Sequence, residues 1–129
     1  GQARLNNTAR VEVAQGAQLI INKLQADFND VQSVTIPSDT NPGITLTFTV
    51  SEDHDISYQL EGDQLLRNYD GKDQKLTSNQ VQISDLSFQK ALNDGGKITM
   101  QIKFTLTSIA QLSGGRNVSE EFQTTISQR

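Results

Sequence analysis

The only histidine of the chain, His54, stands in an acidic run, Ser51-Glu52-Asp53-His54-Asp55. A histidine held by a carboxylate is the general base of serine hydrolases, where it activates a hydroxyl nucleophile. The G-x-S-x-G turn that presents such a serine in one large hydrolase group occurs nowhere in the chain. A polar run between two alternating segments reads instead as a solvated loop. The 15 acidic residues could supply a glycosidase-like carboxylate pair, but nothing marks two of them as buried together. In Asn68-Tyr69-Asp70-Gly71-Lys72-Asp73 oxygen-bearing side chains alternate around a glycine, as in the first half of a calcium loop. The closing glutamate of such a loop is missing, since position 79 is Asn79. A hairpin turn accounts for the same letters. Gly95-Gly96 and Gly114-Gly115 fit hairpin loops and not a phosphate cradle. No catalytic residue, metal or cofactor is expected.

Composition narrows the classes further. The chain has no cysteine, which removes disulfides, thiol catalysis and cysteine-ligated metals. The net charge is −4, and Lys72, Lys75, Lys90, Lys97 and Lys103 are dispersed, with no interleaved aromatics to stack bases. Specific nucleic-acid binding is therefore not expected. The 129 residues suffice for one domain with one core, here residues 1–129. The 15 Gln, 9 Asn, 12 Thr and 11 Ser suit a surface outside the cytoplasm, or one that packs on copies of itself. No apolar run approaches the ~20 residues that span a bilayer.

Two unlike elements must position whatever the chain does. From residue 2 to about 31, Val13, Ala17, Ile20, Leu24, Phe28 and Val31 recur at spacings of three and four, with Leu5 and Ala9 extending the stripe. This predicts one long amphipathic helix whose other face carries Arg10, Gln15, Gln18, Asn22, Gln25 and Asn29. Gly16 is a weak point of up to ~1 kcal/mol relative to Ala, or a place where another backbone packs closely. The helix starts without a clear cap, as if a preceding segment had been removed.

From about residue 32 the period is two. Ile44–Val50, Ile56–Leu60, Leu65–Tyr69, Val81–Phe88, Lys97–Thr107 and Val118–Ile126 read as strands, with a phase slip near Asp85 that a bulge explains. Gly62-Asp63, Asp70-Gly71, Asn93–Gly96 and Ser113–Gly115 mark turns, and Pro37–Gly43 a loop. Short turns imply antiparallel pairing, so the expected class is α+β: one helix laid on an antiparallel sheet. Phe104→Ala or Ile102→Ala should cost about 2–5 kcal/mol if these residues are central.

This layout resembles the type IV pilins and pseudopilins. Ile56-Ser57-Tyr58-Gln59-Leu60-Glu61-Gly62-Asp63-Gln64-Leu65-Leu66-Arg67 is similar to one branch's pattern of an aromatic strand, a glycine turn and a strand ending in Leu-x-Arg. Asn79-Gln80-Val81 and Leu86-Ser87-Phe88 match the segment that follows it, and Phe122–Arg129 resembles the closing strand. That branch comprises minor pilins of the W type and J-type pseudopilins of type II secretion. The family's apolar N-terminal helix half, and the leader cut before a phenylalanine, are not in this sequence. The resemblance implies that they were removed to leave a soluble domain.

The resemblance further implies a non-enzymatic filament subunit, of a type IV pilus or a related secretion or DNA-uptake filament. The subunit would be anchored in the inner or cytoplasmic membrane by the missing helix before assembly, and then lie at the cell surface in a priming or tip complex. Its partners would be other pilin or pseudopilin subunits. Arg4, Arg10, Glu12 and Lys23 on the exposed helix face would meet them, and the loops at Pro37–Gly43 and Asp70–Asp73 would be variable surfaces. The alternative is a cell-surface binding module, an adhesin or carbohydrate-binding domain, whose sheet face or loops hold a ligand.

Overall fold

The apolar stripe produces the helix it predicts. In the computed structural model α1 spans Gln2–Phe28, and Ala9, Val13, Ala17, Ile20, Leu24 and Phe28 are all buried along one side. The structure describes residues 2–91, 95–111 and 117–129, with side chains from residue 7 onward and excluding that of residue 111. Arg4, Leu5 and the turn signals at Asn93-Asp94 and Ser113–Gly115 therefore fall on side chains or segments outside the described residues.

The helix ends three residues earlier than the spacing predicts. The Asn29 amide makes the last helical bond, to the Gln25 carbonyl at 3.0 Å. The Gln25 side-chain amide also donates to Asn29 Oδ1 at 2.8 Å. Asn29 and Asp30 are residues whose side chains compete for backbone groups and favour turns. Val31, counted at the end of the helical stripe, is instead the first residue of a strand and is fully buried there.

Among the described residues eight antiparallel strands follow, joined by loops and one 3-10 turn at Ser51–Asp53: β1 (Val31–Ile36), β2 (Leu46–Val50), β3 (His54–Glu61), β4 (Gln64–Tyr69), β5 (Lys72–Lys75), β6 (Val81–Lys90), β7 (Thr99–Gln111) and β8 (Asn117–Ser127). They form two sheets instead of one, a five-stranded meander β1-β2-β3-β4-β5 and a three-stranded meander β6-β7-β8. Backbone bonds tie the sheets together. Gly43 and Phe88 exchange both N–H···O bonds, at 2.8 and 2.7 Å, and the Ile83 amide donates to the Asp63 carbonyl at 2.8 Å.

One continuous core lies under the helix and draws on both sheets. Phe28 meets Phe48 edge-on at 5.3 Å, and Phe48 lies parallel to Tyr58 at 6.5 Å. Met100, Ile102, Phe104 and Leu106 of β7 are fully buried, while Thr99, Gln101, Lys103 and Thr105 alternate outward. The phase slip in β6 is real: the β6–β7 register shifts between Ser84 and Ser87, and Asp85 takes a left-handed φ of 54°. A side chain added at Gly16 would meet Leu106 Cδ1 at 3.2 Å and Val81 Cγ2 at 3.6 Å. Its lack of a side chain lets α1 sit close on β6 and β7.

Two strands escape the alternation argument. β1 has only two buried or half-buried apolar positions, Val31 and Val34, and leaves Ile36 exposed. β5, expected as part of a loop, has the sequence Lys-Asp-Gln-Lys with every residue exposed, so it carries no apolar signal. Conversely, Ile44 is 70% exposed and precedes its strand. Among the described residues, no helix is long and apolar enough to cross a membrane.

Candidate functional site

The helix face assigned to assembly is open. Arg10 is exposed, with Asn7, Val11, Ala14, Gln15, Gln18, Leu19 and Asn22. Val11 and Leu19 are unusual there, being apolar and about half exposed, at 50% and 54%. Glu12 and Lys23 are half-buried. Glu12 Oε2 is itself buried and accepts no hydrogen bond. A groove of about 170 Å³ lies between α1 and the β5–β6 connection, lined by Glu12, Gln15, Gly16, Leu19, Leu76 and Ser78.

Near its C-terminal end α1 is clamped to the larger sheet by a charged network that sequence reasoning missed. Asp27 accepts two bonds from the Arg67 guanidinium on β4, Nε to Oδ2 at 2.7 Å and Nη2 to Oδ1 at 2.9 Å. The Tyr58 hydroxyl on β3 donates to the same Asp27 Oδ2. The two charged side chains are only 10–11% exposed. Such a fork between guanidinium and carboxylate fixes orientation as well as distance. Burial, followed by the neighbouring Asp27 charge, pushes the Tyr58 phenol well above its usual range, so it stays a neutral donor. The bond to Asp27 likewise raises Arg67 further above neutrality. A signal was available: Asp27 interrupts the apolar border between Leu24 and Phe28, where a charge needs a partner.

From this clamp a line of rings leads along β4 to the end of the β3–β4 pair. The Arg67 guanidinium lies 5.3 Å from the Tyr69 ring centre, and His54 stacks on the other end of the line at 5.4 Å from Tyr69. His54 and Asp55 are the first residues of β3 and not part of a loop. His54 Nδ1 is bonded to Asp70, whose other oxygen accepts the Asp55 amide at 3.0 Å. The bond to Asp70 raises the His54 pKa above 6.5. The Asp55 amide, and then His54, lower that of Asp70. The β3–β4 register, which pairs Ile56 with Tyr69, brings this pair together, and a turn at Gly62-Asp63 is enough to anticipate it. The Ser51 hydroxyl, three residues before His54, donates to Asp30.

The calcium-like letters serve the β4–β5 hairpin. Asn68 Oδ1 accepts the Gly71 amide at 2.9 Å, and its Nδ2 donates to Asp73 at 2.7 Å. Asp70 points back to His54 and the Asp55 amide, so these oxygens do not converge. Among the described residues no cluster of three His, Asp or Glu side chains could hold a metal.

An open cleft of about 410 Å³ separates the 37–43 loop from the smaller sheet, lined by Thr40, Gln89, Lys90, Ala91, Gln101 and Thr125. The Gln89 side-chain amide spans it at one point, donating to the Thr40 carbonyl at 2.9 Å. Two glutamines, two threonines, an alanine and a lysine line it, and their apolar atoms supply most of its wall.

No protein-family model matches this chain, and neither does any curated protein or solved structure.

Proposed function

We propose that this chain is the globular part of a filament subunit of the type IV pilin class, a minor pilin or pseudopilin acting in assembly and not in catalysis. The observation that carries the reading is the disposition of α1. A helix of 27 residues, about 40 Å long at 1.5 Å per residue, lies on antiparallel strands along one side from Ala9 to Phe28 and is left open along the other. A helix that belonged only to this core would need just its buried stripe. The half-exposed Val11 and Leu19 on the other side offer apolar area to a neighbour. The Asp27–Arg67–Tyr58 clamp supports the same reading, because it holds the helix rigidly to the sheet and so lets force pass between them. In this reading the subunit waits in a membrane through a segment N-terminal to α1 and ends in a surface filament among other pilin-like subunits.

Deleting the gene in its native host tests the proposal. Surface filaments, counted by electron microscopy, should fall in number and return on complementation. Unchanged filaments, with the protein absent from the sheared fraction, would refute it.

A surface binding module is the second reading, and the cleft beside the 37–43 loop favours it. Its Gln89, Gln101, Thr125 and Lys90 side chains could hydrogen-bond a polar ligand such as a glycan. Glycan-array binding that is lost in a Gln101→Ala variant would support this reading over the first.

A further inference from the structure

We propose that the uncovered end of the larger sheet's inner face, at β4 and β5, binds a sugar acid. The Arg67 guanidinium and the Lys72 ammonium take its carboxylate, and the Gln74 side chain and the Asp73 backbone take its hydroxyls. The site shares no lining residue with the cleft beside the 37–43 loop or with the groove at Glu12. The inference does not rest on the filament reading.

The strand register brings these groups together. Tyr69 pairs with Lys72 and Arg67 with Gln74, so the four side chains stand on one face in two adjacent rows. This is the face that meets α1, and along it the cover runs out. Leu65 is fully buried, Arg67 and Tyr69 are partly buried, and Lys72 and Gln74 are exposed. Asn68 and Asp73 stand on the opposite face, where their side chains bond at 2.7 Å. The Leu76 amide bonds the Leu65 carbonyl. Alternation from that bond makes Gln74 and Lys72 the β5 residues that bond β4, and turns the N–H and C=O of Asp73 off the free edge of β5. A cleft of about 400 Å³ lies over these groups, lined by Arg67, Tyr69, Lys72, Asp73 and Gln74. That volume is in the range of small-molecule sites.

The cleft holds cations with donor capacity to spare. Asp27 takes Nε and Nη2 of Arg67. Nη1 is left with a long bond to Gln74 Oε1 at 3.5 Å. Lys72 forms no ion pair among the described residues. The nearby carboxylates are engaged elsewhere, Asp70 with His54 and the Asp55 amide, and Asp73 with Asn68. A carboxylate between Arg67 Nη1 and Lys72 gains two charge-assisted bonds. The Gln74 amide and the Asp73 backbone add both donors and acceptors beside it. This mixture matches a ligand that carries hydroxyls next to a carboxylate, whereas sulfate has no hydrogen to donate. A peptide added as an extra strand would find only the four residues of β5, whose lysines discourage such pairing. Tyr69 is held between Arg67 and His54, so the ring fixes the guanidinium and offers a ligand its edge.

NMR titration of the purified chain with digalacturonate tests the proposal. Binding at millimolar concentration should shift the backbone amides of Lys72, Asp73 and Gln74, the Arg67 Nε–H signal, and the ring of His54 stacked on Tyr69. The methyl ester of the same sugar, which lacks the charge, should bind about tenfold more weakly or less still. Lys72→Glu should weaken digalacturonate about tenfold and Gln74→Ala about threefold. Circular dichroism should stay unchanged in both, since these side chains are exposed on an edge strand. Lys90→Ala, in the cleft beside the 37–43 loop, should leave binding as it was. No shift at these residues, equal binding of the ester, or binding unmoved by Lys72→Glu would overturn the site. Sulfate or tri-glutamate bound as tightly as digalacturonate would overturn the assignment to a sugar acid. The filament reading is tested in native cells and stands or falls separately from each of these outcomes.

Discussion

At the scale of single residues, Asp27 is the most consequential polar side chain described. Removing it leaves Arg67 charged, mostly buried and without its partner, and leaves the Tyr58 hydroxyl without its acceptor. Breaking a buried pair from one side costs about 3–5 kcal/mol. Asp27→Ala should therefore lower unfolding free energy by about 3 kcal/mol or more in a denaturant titration, and a change below about 1 kcal/mol would show the clamp to be incidental. His54 gives a second prediction, with its sign set by linkage. Its pKa is raised in the fold, so its contribution is full below pH 6.5 and fades as pH rises through the folded value. Asp70 is lowered, so its contribution holds above 3.8 and fades as pH falls through its folded value. The pair thus contributes most between about pH 4 and 6.5. With a single histidine, one NMR titration reads this directly. His54 should titrate above 6.5, and Asp70→Asn should bring it down. The residue order shows that Asp27 needs a partner without naming it, and gives the His54–Asp70 pair only through the turn at Gly62-Asp63. Each depends on strands meeting in a given register, and only the β3–β4 hairpin is short enough for that register to be read from its turn.

At the scale of elements, local periodicity was a good guide where burial is one-sided. The alternation in β7 and the stripe of α1 both follow from a single apolar face meeting the core, and the slip at Asp85 appears as a register shift. The same logic fails for β5. Its strand character comes from backbone pairing with β4, Leu66 with Lys75 through Tyr69 with Lys72, and its side chains bury nothing. Exposed lysines there also suit an edge strand, since they discourage pairing with stray chains. The helix end was misplaced because Val31 has the right spacing and type for either element. Gly16 is crowded by the side chains of Leu106 and Val81 and not by a second backbone, so close packing is present there but of side chains on the helix. Gly16→Val should then lower stability by about 1–3 kcal/mol by overpacking, although the same change on an exposed helix face would be nearly neutral. Thermal unfolding of the variant decides between these outcomes. Phe104, fully buried and 5.5 Å from Phe122, meets the condition set for a central residue, so Phe104→Ala should cost about 3–5 kcal/mol.

At the scale of the whole molecule, the α+β class was legible and the division into two sheets was not. The break falls between β5 and β6, where Leu76 and Thr77 are buried but pair with neither sheet as strand. The Leu76 amide, bonded to the Leu65 carbonyl, and the Thr77 hydroxyl, which accepts the Leu65 amide, hold this segment to β4, while the Ile83 amide on β6 donates across the break to the Asp63 carbonyl. Alternation within a strand says nothing about which strand lies beside it, so sheet membership needs the three-dimensional path. The same holds for the helix face. Its polarity was visible in the residues, but the groove at Glu12 exists only because the β5–β6 connection passes beside α1. The open face gains a purpose if copies or relatives of this chain stand side by side. In a fixed array, weak contacts of this kind add up, and no single one needs to be strong.

Mass spectrometry of filaments sheared from the native cells tests the filament claim most directly, by reading this protein's presence, its abundance and its mature N-terminus. The account predicts a minor component whose chain runs N-terminally from α1 into an apolar segment headed by a methylated phenylalanine. Absence from the filaments, together with a native chain in which another soluble globular domain precedes α1, would contradict it.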